Sequence, residues 1–284
     1  MPAKLLDGKK IANNIQSEIR SVIDERVKDN FPPPGLAVIL IGEHASSKIY
    51  VEKKQQACKE VGIVSTLHHL SAETSEDDLL DLIDELNDNH SVHGILVQLP
   101  LPDHMNTSVI LDYIDPMKDV DGFHPYNMGC LAQQRPFLRP CTPFGIMQLL
   151  EYTQEPVLGK HAVIVGASNI VGRPMALELL LAGATVTVAH RQTTDLVECI
   201  KLAQILIVAI GKPGVIETSW IPDGAIVIDV GITRLDDGNI TGDIDFDTAK
   251  EKASWITPVP GGVGPMTVAT LLMNTIFAWD QVIS

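Results

Sequence analysis

Ser47, Tyr50 and Lys54 stand three and four residues apart, a spacing that would put all three on one face of a helix. A phenol so placed can hydrogen-bond and stack on a flat ring. An amine whose pKa is lowered by burial or by a neighbouring cation can carry a proton near neutral pH. On spacing alone, tyrosine and lysine on a helix are ordinary amphipathic surface residues, so the chemistry must be sought in company with other segments. Gln98, opening Gln98-Leu-Pro-Leu-Pro102, puts a side-chain amide at an expected strand end beside rigid prolines. Asp121, within Lys118-Asp-Val-Asp-Gly-Phe123, puts a carboxylate in a loop before Gly122; a carboxylate can grip an amino-pyrimidine edge through two parallel hydrogen bonds. The stretch Pro258-Val-Pro-Gly-Gly-Val-Gly-Pro-Met-Thr267 is a glycine-dense loop leading into a helix, where backbone can come close to a flat ligand. Taken singly, these three are a satisfied amide, a turn residue and a tight connection.

A second constellation reads Gly166-Ala-Ser-Asn-Ile-Val-Gly-Arg-Pro174 after an apolar run. It departs from G-x-G-x-x-G, because Ser168 stands where the second glycine would be and the last glycine comes one residue later. The physical requirements are still met. Gly166 permits a sharp turn, Gly172 permits close helix–strand approach, and a helix N-terminus would offer free N–H groups and a positive dipole to a pyrophosphate. Alone, such a loop is a weak signal. The end of the next expected strand reads His190-Arg191. An NAD-preferring fold places an acidic side chain there for the ribose hydroxyl; Arg191 instead supplies a planar cation suited to a 2′-phosphate, which predicts NADP, the plainer alternative being a solvated surface arginine. No metal is expected: the nine histidines lack zinc-ligand spacing, and adjacent His68 and His69 on a strand point to opposite faces.

The elements that would position these residues alternate. Helical periodicity over 7–27 is broken by the prolines at 32–34; a buried strand follows at 36–41, a helix at 46–61, strands at 64–70 and 94–99, and a short helix at 106–114. The stretch 123–143 is rich in proline and glycine with weak periodicity, and the connection between two halves is placed there. A helix at 143–152 leads to strands at 162–165, 185–189, 205–210, 225–230 and 255–257, with a helix at 174–182 and an apolar closing helix over 265–282. Strands alternating with helices imply parallel βαβ units, whose ligands gather beyond the carboxyl ends of the strands. The expected fold is therefore α/β with two α/β domains: residues 1–140 catalytic, 141–265 a Rossmann-type dinucleotide domain, an active-site cleft between them, and a closing helix 266–284 returning to the first.

The formal net charge of −15 disfavours non-specific attraction to nucleic acid or to an anionic membrane face. No signal peptide and no membrane span are expected, since 1–8 is short and mixed and no run of 18 apolar residues occurs. Cys58, Cys130, Cys141 and Cys199 are scattered without a Cys-x-x-Cys pair, as reduced packing thiols of a cytosolic protein are.

Tyr50-x-x-x-Lys54, Gln98-Leu-Pro-Leu-Pro102, Asp119-Val-Asp-Gly-Phe123, Gly166-x-Ser-x-x-Val-Gly172-x-Pro174 and Pro260-Gly-Gly-Val-Gly-Pro-Met-Thr267, in that order, closely resemble the bifunctional methylenetetrahydrofolate dehydrogenase/methenyltetrahydrofolate cyclohydrolase family. The resemblance runs from Leu6-Asp-Gly8 to the closing helix. One departure is Ala167, where many members have an arginine that helps hold the 2′-phosphate; that duty shifts to Arg191. The resemblance implies NADP-dependent oxidation of methylenetetrahydrofolate and hydrolysis of the methenyl product to formyltetrahydrofolate, within one-carbon metabolism and purine biosynthesis. It implies Lys54 as the main catalytic group, with Gln98 bonding and tuning it. Tyr50 would lie against the folate and Asp121 would anchor the pterin. Val97, Leu99, Pro260, Gly261 and Gly262 would complete the folate site. Gly166, Ala167, Ser168, Ile170, Val171, Gly172, Arg191 and Ile232 would hold NADP. It also implies a cytoplasmic homodimer formed through the dinucleotide half, with tetrahydrofolate derivatives as its small-molecule partners.

Two other readings remain at this level. A dehydrogenase resembling shikimate dehydrogenase also joins an α/β substrate half to a dinucleotide half and uses a lysine in the first. It predicts an aspartate partner for that lysine and lacks Gln-Leu-Pro-Leu-Pro. A non-catalytic folate- or nucleotide-binding protein would have no use for both Lys54 and Tyr50.

Overall fold

The computed structural model describes residues 2–235 and 237–283. In chain order its first elements are β1 (Lys4–Leu5), α1 (Gly8–Lys28), β2 (Gly35–Ile41), α2 (Ala45–Val61), β3 (Val64–Leu70), α3 (Glu76–Asp88), β4 (Gly94–Val97), α4 (Thr107–Tyr113), α5 (Pro125–Ala132) and α6 (Cys141–Tyr152). There follow β5 (His161–Val165), α7 (Gly172–Leu181), β6 (Thr185–Ala189), α8 (Leu196–Lys201), β7 (Ile205–Val208), a 3-10 turn (Thr218–Trp220), β8 (Ile226–Asp229), β9 (Thr233–Arg234), β10 (Ile240–Thr241), α9 (Phe246–Ala249), β11 (Trp255–Ile256) and α10 (Val263–Ile283). These form two compact units, one of residues 13–141 and 268–284, the other of residues 1–12 and 142–267.

The first, the lysine unit, is built on a parallel sheet in the order β3-β2-β4. Every residue of β2 is buried, because helices cover both faces of the sheet. That is why its sequence is a continuous apolar run without alternation. One core joins Leu36, Val38 and Leu40 to Val51, Cys58 and Trp279; the other joins Ala37, Ile39 and Ile41 to Leu79, Ile83 and Ile110. Local signals set the helix ends. Gly62 stops α2 in the left-handed region, its N–H reaching Cys58 O, and Ser75 caps α3 by accepting from Asp78 N–H ahead of three acidic residues in the first turn. The weakly periodic stretch expected as a connection contains α5, started by Pro125 and by His124, whose ring accepts from Tyr126 N–H.

The second, the glycine-loop unit, has a parallel six-stranded sheet in the order β1-β11-β8-β7-β5-β6, and a small antiparallel pair β9-β10. The chain runs from β5 outward to β6 and then returns to the opposite side of β5 with β7. The carboxyl ends of β5 and β7 therefore flank the point where strand order reverses, the place where open α/β sheets bind ligands.

One boundary differs from the expectation of an unbroken 1–140 domain. Residues 1–12 belong to the glycine-loop unit, because β1 pairs in parallel with β11 and Lys9 N–H donates to Gly261 O at 3.1 Å. A two-residue strand has no periodicity to reveal this. Among the described residues, only α10 is long and apolar enough to cross a membrane, with a mean hydropathy of 1.2. More than half of its apolar stretch is buried, and Leu271, Leu272 and Trp279 are completely enclosed, as in a core helix.

Candidate active site

Lys54 lies on α2 and is 6 % exposed. Its Nζ donates to Gln98 Oε1 at 3.2 Å. Gln98 sits just past β4, held in line by its own N–H to Ile39 O at 2.9 Å. Its Nε2 donates to Leu99 O at 2.8 Å, which turns the amide oxygen toward the lysine. Val97 before it is buried and Leu99 after it half-buried. Tyr50, one turn before Lys54, is half-buried, and burial pushes its phenol above the ordinary value. Ser47 continues the same face and is 2 % exposed, its Oγ buried without a hydrogen-bond partner. A buried hydroxyl left so is costly in a closed core and suits a site that takes a polar ligand.

Asp121 lies within electrostatic reach of this amine. Burial pushes its carboxyl up from the ordinary value, against the charge of Lys54 and a hydrogen bond from Cys141, which both hold it down. The loop carrying it is tied on both sides. Asp119, 2 % exposed, accepts from Gly122 N–H at 3.2 Å, His124 N–H at 2.8 Å and Asn127 Nδ2 at 3.0 Å. Cys141 N–H donates to Asp121 O at 3.2 Å and its Sγ to Val120 O at 3.2 Å. Asn274 of α10 donates from Nδ2 to Val120 O and to Arg139 O, both at 2.8 Å. Burial pushes the Cys58 thiol up to about 12 and Cys141 well above its ordinary value, which disfavours the thiolate at both.

Tyr50, Lys54, Val97, Gln98, Leu99 and Asp121 thus share the lysine unit, while Pro260, Gly261, Gly262 and the whole expected cofactor set lie in the glycine-loop unit. In that unit Gly166 has φ +128°, and a Cβ on it would stand 2.2 Å from Ala209 O. A Cβ on Gly172 would stand 2.0 Å from Gly166 O. Both positions are open only to glycine, and the loop keeps the cradle a dinucleotide phosphate requires. The helix start differs from expectation. Helix α7 begins at Gly172 rather than Pro174, and its first amides are not all free: Ser168 Oγ accepts from Val171 N–H at 3.1 Å and Gly172 N–H at 3.4 Å, and Ser168 O from Arg173 N–H at 3.0 Å. Serine at the second glycine position therefore shapes the turn by accepting from the amides that lead into α7, whose N-cap is Val171. Ala167 is half-buried, Ile170 40 % exposed and Val171 half-buried. Arg191, after β6, is exposed, as is Ile232 after β8. Among the described residues no cluster of metal-ligating side chains occurs.

Cys141 and Asn274 were not singled out as site residues by sequence reasoning. Asn274 had a signal: a lone amide in the apolar run Leu271-Leu-Met-Asn-Thr-Ile-Phe277 must find partners when that helix is buried.

With this geometry in hand, the sequence matches known families. Residues 6–121 match the catalytic domain, and residues 140–282 the NAD(P)-binding domain, of tetrahydrofolate dehydrogenase/cyclohydrolase. The chain is similar to the bifunctional methylenetetrahydrofolate dehydrogenase/cyclohydrolase of Campylobacter jejuni, with 48 % identity over 98 % of this chain and 99 % of that one and a TM-score of 0.96. It is similar to the methylenetetrahydrofolate dehydrogenase-cyclohydrolase of Trypanosoma brucei, whose structure is complexed with NADP and an inhibitor, with 35 % identity over 100 % and 99 % of the chains and a TM-score of 0.96. The bifunctional enzyme of Thermoplasma acidophilum shares 34 % identity over 99 % of each chain with a TM-score of 0.92. The shikimate dehydrogenase of Aquifex aeolicus, at 15 % identity over 88 % of this chain and 92 % of its own and a TM-score of 0.51, shares the fold alone.

Proposed function

This chain belongs to the tetrahydrofolate dehydrogenase/cyclohydrolase family, and from that membership we infer how its residues divide the work of a bifunctional enzyme. It oxidises 5,10-methylenetetrahydrofolate to the methenyl form and hydrolyses that to 10-formyltetrahydrofolate. The observation that carries the assignment of roles is the Lys54 Nζ to Gln98 Oε1 contact of 3.2 Å, with Asp121 within electrostatic reach of the same amine.

Asp121 anchors the pterin through its amino-pyrimidine edge, and Tyr50 lies against the folate. Val97 and Leu99 complete its surroundings within the lysine unit. Gln98 fixes the lysine rotamer, so that the amine is held rather than searching. In hydrolysis, water adds to the methenyl carbon and loses a proton as the carbon–nitrogen bond opens; Lys54 takes and returns protons at Nζ. In oxidation the folate nitrogens stabilise the developing cation, so the chain chiefly aligns the reactants.

NADP is the proposed cofactor, and it supplies the hydride acceptor when bound. Gly166, Ala167, Ser168, Ile170, Val171 and Gly172 would cradle its phosphates, Arg191 would meet the 2′-phosphate and Ile232 would flank it. The likeness to an enzyme complexed with NADP and the absence of a carboxylate at His190-Arg191 support that choice over NAD. A homodimer is proposed through the glycine-loop unit. It is supported by β6, the outer strand of the six-stranded sheet, which carries Val188 at 36 % exposure. A cytoplasmic setting is supported by four free cysteines, and the absence of nucleic-acid or membrane partners by the charge of −15. Formyltetrahydrofolate made here would feed purine biosynthesis.

The test is spectroscopic. Mixing the protein with NADP and methylenetetrahydrofolate should give the absorbance of reduced nicotinamide, and methenyltetrahydrofolate alone should lose its own. Faster reduction of NAD than of NADP would remove the role given to Arg191.

A further inference from the structure

Asp243, between β10 and α9, is completely buried. Its Oδ2 accepts from two successive backbone amides, Ile210 N–H at 2.7 Å and Gly211 N–H at 2.9 Å. These amides follow β7 on the side of the sheet where strand order reverses. The preceding residue, Ala209, is the one whose carbonyl leaves no room for a Cβ on Gly166. A carboxylate 32 and 33 residues away in sequence therefore holds the segment that the first glycine of the phosphate loop rests on.

The carboxylate is itself held. Asp243 N–H donates to Asp229 Oδ1 at 3.0 Å and Ile244 N–H to Asp229 Oδ2 at 2.9 Å. The same Asp229 Oδ1 accepts from Gly231 N–H at 2.9 Å, one residue before Ile232. Asp243 Oδ1 lies in the space where a Cβ on Gly231 would stand, at 2.3 Å, and has no hydrogen-bond partner. Two buried aspartates thus join the loop after β7, the loop after β8 and the 241–244 segment by backbone amides alone. A pair of carboxylates is an expensive filler for a turn, since each must be desolvated. The arrangement is explained when the position of those loops matters.

We propose that Asp243 is a positioning residue for the dinucleotide: it sets the Ala209–Gly211 segment, and through Asp229 the Gly231–Ile232 turn, to the spacing that the cofactor requires. The inference rests on the reading of this unit as the NADP site. The enzyme carries its own control, because hydrolysis of methenyltetrahydrofolate uses Lys54 of the other unit.

In the full-length protein, Asp243→Ala should weaken NADP binding, measured by titration calorimetry without folate, by about tenfold or more, the scale of one lost charge-assisted hydrogen bond. Hydrolysis of methenyltetrahydrofolate should stay within about twofold, below the tenfold that corresponds to 1.4 kcal/mol. Asp243→Asn keeps one oxygen for the two amides and should recover most of the affinity. Unchanged NADP affinity in Asp243→Ala, or an equal loss of NADP binding and hydrolysis in both variants, overturns the proposal. Should Asp243→Ala fail to fold, Gly231→Ala asks the same question by driving a methyl into the Asp243 carboxyl, and unchanged affinity there is equally fatal. If the unaltered enzyme binds NAD in place of NADP, the cofactor assignment fails while the Asp243 arms are read with NAD. If it binds neither, both fall together.

Discussion

Lys54 is placed by a one-turn register with Tyr50, by an amide acceptor from the end of β4 and by a carboxylate within electrostatic reach. Each partner does something the others cannot: Gln98 fixes direction, Asp121 supplies charge, and the core around α2 removes competing water. Replacing the amine by an isosteric apolar chain should therefore separate the two reactions. Lys54→Met should slow methenyltetrahydrofolate hydrolysis by about 10²–10⁴-fold, the range of general acid–base catalysis, while oxidation, which relies on alignment, falls much less. Stopped-flow rates of the two reactions check this, and equal retention of both removes Lys54 from the proton path. The same change deletes the charge that holds Asp121 down. The Asp121 pKa should then rise further, and the pH below which folate affinity is lost should move upward in titrations of the variant.

At the scale of elements, the paired aspartates of the glycine-loop unit make stability depend on pH. Burial, with Asp243 adding to it, raises Asp229 from 3.8 to about 6 despite three backbone amides that lower it. The folded state therefore holds this proton more tightly than the unfolded chain does. The resulting stabilisation is complete below pH 3.8 and is lost as the pH rises through about 6. Its full size is about 3 kcal/mol by linkage. Urea unfolding at pH 5 and pH 7.5 should show a fall for the unaltered enzyme that is smaller in Asp229→Asn; an identical fall in both would remove Asp229 as its source. Little of this network was legible beforehand. The strand bearing Asp229 reads clearly as a continuous apolar run, as do β2, β5 and β7, because full burial on both faces leaves a pattern. The partners of Asp243 lie 32 and 33 residues away and are backbone amides, which leave no mark in a sequence. Helical spacing put Tyr50 and Lys54 on one face, and the prolines after Gln98 marked a strand end, since those signals are local; only the ordered set of motifs singled the three out as a candidate site. Ser168 was visible only as a departure from a glycine pattern; the amides it accepts from depend on where α7 starts.

On the scale of the whole molecule, the two units are not successive stretches of chain. The first twelve residues join the glycine-loop unit and residues from Val268 onward join the lysine unit. The second exchange could be suspected, because a helix apolar on most sides must be buried; the first could not, because β1 is too short for any period. The exchange at the carboxyl end reaches the loop of the proposed site. Asn274 brings one side-chain nitrogen to the carbonyls of Val120 and Arg139, the two strands of chain between which Asp121 is held. The last helix therefore packs the core through Leu271, Leu272 and Trp279 and also ties down the loop of Asp121, the carboxylate proposed to anchor the pterin. Asn274→Leu keeps the branching at Cγ but strands two buried carbonyls, a cost of about 1–3 kcal/mol. The loop should relax and Asp121 lose its aim. KM for the folate should rise in both oxidation and hydrolysis, while NADP affinity, which belongs to the other unit, should stay as it was. Steady-state kinetics of the two reactions together with NADP titration distinguish this from a general loss of stability. An unchanged KM in a variant that unfolds more readily would leave Asn274 a packing residue and nothing more.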